Sequence, residues 1–302
     1  MKSVMIRATQ RIMRKLRRTL LVPAQQWFKR MKLRYGSGEI PVLVFQVGKV
    51  GSSTVYYSLK KAGIACEHVH RIAPESIARI ANERRGKGLC VKDERLGLAI
   101  NERIRRSDGK VRIITMVREP VSRNISAFFQ NLTDYYGESP LDSISVKEAI
   151  RRFLDEYPHH VILDWFDTEF ESVTDVSLYD YPFPNEKQWM IVEEGRFEIL
   201  VLRVEAPDNV KKQALDSFLN LENLELVRAN VGGIKDYARL YENFRRQISL
   251  PHSYLDLMLD SKYARHYYSS EELASTRASW LKTADSGSDA ADSNEKSNHE
   301  CV

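Results

Sequence analysis

The run Pro41-Val42-Leu43-Val44-Phe45-Gln46-Val47 constrains the fold more than any other stretch of this chain. Successive side chains of a strand point to opposite faces, so a strand with almost no polar alternation must be covered on both. That calls for a largely parallel sheet with helices on either side. A Gly/Ser turn over residues 48–53 follows at once, and then a helix from Thr54 to about Ala62. The alternation continues. Strands are expected over 64–70, 88–92, 111–117 and 197–204, and helices over 73–85, 96–106, 121–132, 208–219 and 236–248. Residues 146–170 read as helical and aromatic, and 253–281 as helical. Together these predict an α/β fold with a central parallel sheet flanked by helices. No internal repeat interrupts it.

Charge is unevenly spread. Residues 1–38 hold eleven Lys or Arg and no acid, which leaves 35 basic against 41 acidic residues in the rest. The overall charge of +5 therefore comes from the leader, and a nucleic-acid partner is not expected. Three units follow: a basic helical leader over 1–36, interrupted near Pro23, a main domain over 37–282, and a disordered tail over 283–302. The leader can lie on an anionic membrane surface, pack on its own domain, or stay a solvated arm. No apolar run approaches the ~20 residues of a membrane span. Cys66, Cys90 and Cys301 are too few and scattered for a disulfide framework or a zinc site. Cys66 and Cys90 sit in apolar runs and read as buried thiols. The expected location is cytoplasmic, peripheral at the inner membrane face if the leader binds there.

Two segments carry chemistry. In Gly48-Lys49-Val50-Gly51-Ser52-Ser53-Thr54, glycines permit a tight turn close to a phosphate, and the following helix start adds unpaired N–H groups. Lys49 supplies a charge, and Ser52, Ser53 and Thr54 supply hydroxyl donors. The order is not that of a Walker A loop, because the lysine precedes the second glycine, which disfavours an ATPase. The second segment, Arg118-Glu119-Pro120-Val121-Ser122-Arg123-Asn124-Ile125-Ser126-Ala127-Phe128, closes a strand and opens a helix. Arg118 sits where α/β sheets bind ligands, and Ser126, two helical turns on, can face it to cradle a terminal phosphate. Taken singly, each segment is weak evidence and reads first as an ordinary turn or strand stop.

In this order, some seventy residues apart, the two segments resemble the sulfotransferases that use 3′-phosphoadenosine 5′-phosphosulfate (PAPS). The resemblance implies a P-loop-like three-layer fold of sulfotransferase type. It also implies that Lys49, Gly51, Ser52, Ser53 and Thr54 bind the 5′-phosphosulfate, and that Arg118 and Ser126 bind the 3′-phosphate. PAPS would be the co-substrate, with no metal. The segments Trp165-Phe166-Asp167-Thr168-Glu169-Phe170, Leu200-Val201-Leu202-Arg203-Val204-Glu205 and Lys262-Tyr263-Ala264-Arg265-His266-Tyr267-Tyr268-Ser269 look like a bacterial branch described as capsular polysaccharide synthesis proteins. The resemblance spans roughly residues 41–275 and makes a carbohydrate the expected acceptor.

Sulfuryl transfer needs a cation at the breaking bridge and a base for the acceptor hydroxyl. Lys49 fits the first role. For the base, strand alternation puts His68 and His70 of Glu67-His68-Val69-His70 on one face near the loop. The stretch resembles the H-x-x-H segment of uronyl 2-O-sulfotransferases, although the spacing here is H-x-H. His70 is favoured over His68, with Glu67, Asp93 and Glu169 as outside candidates. A metal-binding His pair lacks an obvious third ligand. Trp165, Phe166, Phe170, Tyr179, Tyr181 and Phe183 are expected to be core, with an acceptor platform as the alternative. Asn230 and Lys235, beside Gly232 and Gly233, could cover the nucleotide or form a plain turn. Two other readings are a nucleotide-binding phosphoryl transferase and a non-catalytic membrane-surface module of polysaccharide synthesis.

Overall fold

The computed structural model describes residues 22–36, 38–89, 91, 94–137, 143–227 and 237–285. Five strands form one sheet: β1 (Val42–Phe45), β2 (Cys66–Val69), β3 (Val111–Val117), β4 (Trp189–Glu194) and β5 (Phe197–Arg203). Their spatial order is β2-β1-β3-β5-β4, and only β4 runs antiparallel. Every residue of β1 is buried, as are all of β3 but Arg112 and all of β5 but Glu198. Neighbouring residues face opposite ways, so both sheet faces are covered, as the apolar runs require. The protein is an α/β fold with a mostly parallel central sheet.

The topology locates the site. From β1 the chain goes one way to β2, then crosses back to place β3 on the other side of β1. Ligands of open α/β sheets bind outside the carboxyl ends of the strands where the order reverses. Here that point lies between β1 and β3, beside the 48–54 loop and the segment opening at Arg118.

Two expectations about the sheet are corrected. No strand forms at 88–92 among the described residues there, Gly88, Leu89 and Val91. Gly88 turns at φ +68°, Val91 is exposed, and both sides of β1 are already taken by β2 and β3. Conversely β4 was not expected. It is a half-exposed edge strand that pairs back on β5 through the turn at Gly195, φ +54°. The first site helix also starts earlier than Thr54, at Ser52, and runs to Lys61.

Of the leader, residues 22–36 are described, and residues 1–21 lie outside. Helix Val22–Tyr35 opens with Pro23 in its first turn, where proline costs least, and packs against helix Arg95–Arg106. Arg34 meets Glu102 at 2.8 Å, and Arg103 donates to the carbonyls of Gly36 and Gly38. This part of the leader packs on its own domain and leaves Trp27 and Phe28 exposed. No helix among the described residues is long and apolar enough to cross a membrane. Cys66 is buried and unbridged. Cys90, Cys301, Asn230, Lys235 and the tail beyond Asp285 lie outside the described residues.

Candidate functional site

A cavity of about 1260 Å³ opens at the switch point, and Lys49, Gly51, Ser52, Ser53, Thr54, His68, His70, Arg118 and Ser126 all line it. The loop owes its shape to two residues with positive φ, Lys49 at +75° and Gly51 at +76°. At Gly51 glycine is required twice over, because an added Cβ would also lie 2.4 Å from Val204 Cγ2. Gly51 caps the helix, so Ser52 and Ser53 stand in its first turn, where N–H groups lack intrahelical acceptors. Arg123 Nε donates to the Gly48 carbonyl and Arg118 Nη1 to the Lys49 carbonyl, both at 3.0 Å. Within a planar trans peptide the N–H points opposite to the C=O, so this clamp turns the Lys49 and Val50 N–H groups away from the two guanidiniums. The Lys49 ammonium reaches Gln130 Oε1 at 3.3 Å.

The second segment is held equally firmly. Glu119 caps helix Pro120–Gln130, accepting from the N–H of Val121 at 2.6 Å and of Ser122 at 2.8 Å. Burial pushes its carboxyl pKa up against those bonds. On this helix Arg123, Ser126, Ala127 and Gln130 recur at helical spacing and line the cavity together. The Tyr263 hydroxyl clasps Arg118 from behind, accepting from its N–H at 3.0 Å and donating to its C=O at 2.9 Å.

His68 and His70 face the cavity from β2 and its end, 4.9 Å apart edge to face. His70 Nδ1 lies 2.9 Å from the backbone carbonyl of Gln46. A carbonyl only accepts, so Nδ1 carries the proton and the Nε2 lone pair is left for a substrate. His68 Nε2 instead meets Ser52 Oγ at 2.9 Å and the Gln46 amide at 2.8 Å. Desolvation lowers both pKa values, that of His68 to about 4 with help from His70.

Two outside candidates for the base are reassigned. Glu67 points to the opposite face of β2 and does not line the cavity. Glu169 is buried in the cavity wall, where Oε1 accepts from the N–H of Ile72 at 2.6 Å and of Ala73 at 2.9 Å. It therefore fixes the loop between His70 and helix Pro74–Gly86. A π-helical turn over Phe166–Phe170 carries it there. Asp93 lies outside the described residues. Glu169→Ala should cost about 1–3 kcal/mol in urea unfolding, because two buried N–H groups lose their acceptor, while Glu169→Gln keeps one oxygen and should cost less.

The aromatic cluster is core. Phe166, Phe170, Tyr179 and Phe183 pack with Tyr263 and Tyr267. Tyr181 turns its hydroxyl to Glu194 at 2.8 Å. Trp165 alone of the six reaches the cavity, and its indole N–H donates to the His70 carbonyl at 3.2 Å.

Sequence reasoning missed Gln46, Arg123 and Gln130. Gln46 had a signal, a lone amide in an apolar run, and it is wholly buried. Arg123 had one too, three residues before Ser126 on the same helix. Gln130 had none.

Among the curated proteins and the solved structures, nothing matches this chain. A family model described as "Putative capsular polysaccharide synthesis protein" matches residues 148–269. That stretch contains the buttress of the site: Tyr157, whose hydroxyl lies 3.2 Å from Arg123 Nη1, with Glu169 and Tyr263. The loop at 48–54 and the Arg118–Ser126 segment lie before it. Over residues 148–269, then, the chain is similar to a family of capsular polysaccharide synthesis.

Proposed function

We propose that this protein is a P-loop-like sulfotransferase that moves a sulfuryl group from PAPS to a hydroxyl of a carbohydrate acceptor. The observation that carries the reading is the sharing of one cavity by Lys49, Gly51, Ser52, Ser53 and Thr54 with Arg118, Ser126 and His70. Its volume exceeds the ~300–1,000 Å³ of a drug-sized pocket and leaves room for two substrates. The 5′-phosphosulfate lies on the loop and helix start, and the 3′-phosphate between Arg118 and Ser126. The acceptor oxygen forms a bond to sulfur as the bond from sulfur to the bridging phosphate oxygen breaks, with that electron pair leaving on 3′-phosphoadenosine 5′-phosphate (PAP). Lys49 stabilises the leaving oxygen, and His70 Nε2 takes the acceptor proton. Similarity to a capsular polysaccharide synthesis family over 148–269 supports a sugar acceptor.

Thermal shift tests the donor. PAP should stabilise the protein markedly and adenosine 5′-phosphate much less. Arg118→Ala should weaken PAP by about ten- to a hundred-fold, the worth of a charged hydrogen bond of roughly 1.5–3 kcal/mol. Equal shifts from the two nucleotides would sink the reading, and a larger shift from ATP with magnesium would point to phosphoryl transfer.

A further inference from the structure

We propose that His68 is a positioning residue that carries its proton on Nε2 and donates it to Ser52 Oγ, turning the Ser52 hydroxyl proton toward an anion on the loop. This rests on the reading of residues 48–54 as an anion site. His68 Nε2 has two close neighbours, the Gln46 amide at 2.8 Å and Ser52 Oγ at 2.9 Å. A neutral imidazole nitrogen offers one lone pair or one N–H, never both. As a lone pair it would take both neighbours as donors, the Gln46 N–H and the Ser52 O–H. If it accepted from Ser52, the hydroxyl would spend its only proton there and present lone pairs to a phosphosulfate. As an N–H it serves both neighbours in a three-centre bond, with the Gln46 oxygen and Ser52 Oγ as acceptors.

Gln46 fits that arrangement. Its amide ends are alike in shape, and a half-turn exchanges oxygen for nitrogen. The amide atom nearest His68 also lies 3.4 Å from His70 Nδ1, whose proton is fixed by the Gln46 carbonyl, so that atom serves as an acceptor only when it is the oxygen, and an oxygen there needs a proton on His68 Nε2. The His68 ring is fixed by stacking on Tyr56 at 5.4 Å and by the pairing of its backbone position with Val44 in β1. With its pKa held near 4, it is neutral at physiological pH, so its tautomer rather than its charge is what varies. This geometry also separates the two histidines: His70 keeps Nε2 for the acceptor, while His68 spends Nε2 on Ser52.

Two measurements test it. In the unliganded wild-type protein, nitrogen-15 NMR should find the His68 proton on Nε2; a proton on Nδ1 overturns the proposal. For binding, Ser52→Ala and His68→Phe should each weaken PAP by about ten-fold or more. The double variant should be no weaker than the worse single one, because both remove the same bond. His68→Gln, which keeps an N–H near the Nε2 position, should recover most of the affinity. Melting of the unliganded variants identifies any loss due to misfolding, and the NMR result stands whichever variants fold. Independent, multiplying losses in the cycle also overturn the proposal. Running the cycle with inorganic pyrophosphate as well separates the two claims. Coupling seen with pyrophosphate while PAP and adenosine 5′-phosphate bind alike removes the sulfotransferase reading and keeps this one. Uncoupled losses with PAP still preferred do the reverse.

Discussion

His70→Ala should lower kcat by about 10²–10⁴ and leave PAP affinity nearly unchanged. The ring is fixed by its Nδ1–H bond to the Gln46 carbonyl, so the nitrogen left for the acceptor is Nε2, and among the described residues it is not bonded to any of the proposed phosphate ligands. Loss of the base therefore touches the acceptor proton and not the nucleotide. The sign with pH follows from the same group. A base works unprotonated, so the wild-type rate should fall as pH drops through the His70 pKa. Desolvation lowers that pKa, which puts the acid limb below the ordinary histidine value of about 6.5. The limb should vanish from the residual activity of His70→Ala. Near-normal turnover in that variant would remove His70 from the mechanism while leaving the choice of donor untouched. Lys49→Ala should behave differently, impairing both PAP binding and turnover, since its charge acts on the donor before and during bond breaking.

Gly51→Ala should destabilise the protein by about 2–5 kcal/mol and abolish nucleotide binding, although it adds a single methyl group. Two costs combine. A side chain at φ +76° loses roughly 1–2 kcal/mol, and a Cβ only 2.4 Å from Val204 Cγ2 forces a shift of the sort that costs about 1–3 kcal/mol in packed cores. Val204→Ala in the same chain should relieve the second cost and not the first, giving partial rescue in urea unfolding. A Gly51→Ala protein as stable as wild type would mean that the loop is not held as described. Full rescue by Val204→Ala would mean that the backbone conformation there carries little cost.

The central strands were legible because burial on both faces leaves a mark in composition. β1, β3 and β5 are nearly unbroken apolar runs, the pattern of strands covered on both faces. β4 was not legible, since an edge strand buries a single face and its pattern is short and mixed. At 88–92 the described residues Gly88, Leu89 and Val91 form no strand, and three apolar letters in a row carry no period that tells a strand from a turn.

The phosphate-binding candidates were readable for a local reason. Lys49, Gly51, Ser52, Ser53 and Thr54 are contiguous, and Arg118 and Ser126 are separated by a strand end and two helical turns. Sequence alone therefore determined the α/β alternation, the two segments and the face shared by His68 and His70, because each follows from spacing within one element. Tertiary structure decided what the residues do to one another. Ser52 meets His68 from 16 residues away, Gln46 holds His70 from 24, and Glu169 reaches the Ile72 N–H across 97. Such partnerships depend on which elements the sheet order brings side by side. Carboxylates at Glu67 and Glu169 look alike as letters, yet one points away from the cavity and the other holds two N–H groups of the loop after β2. No local pattern distinguishes them, because the difference lies in which buried N–H groups needed an acceptor once the chain had folded.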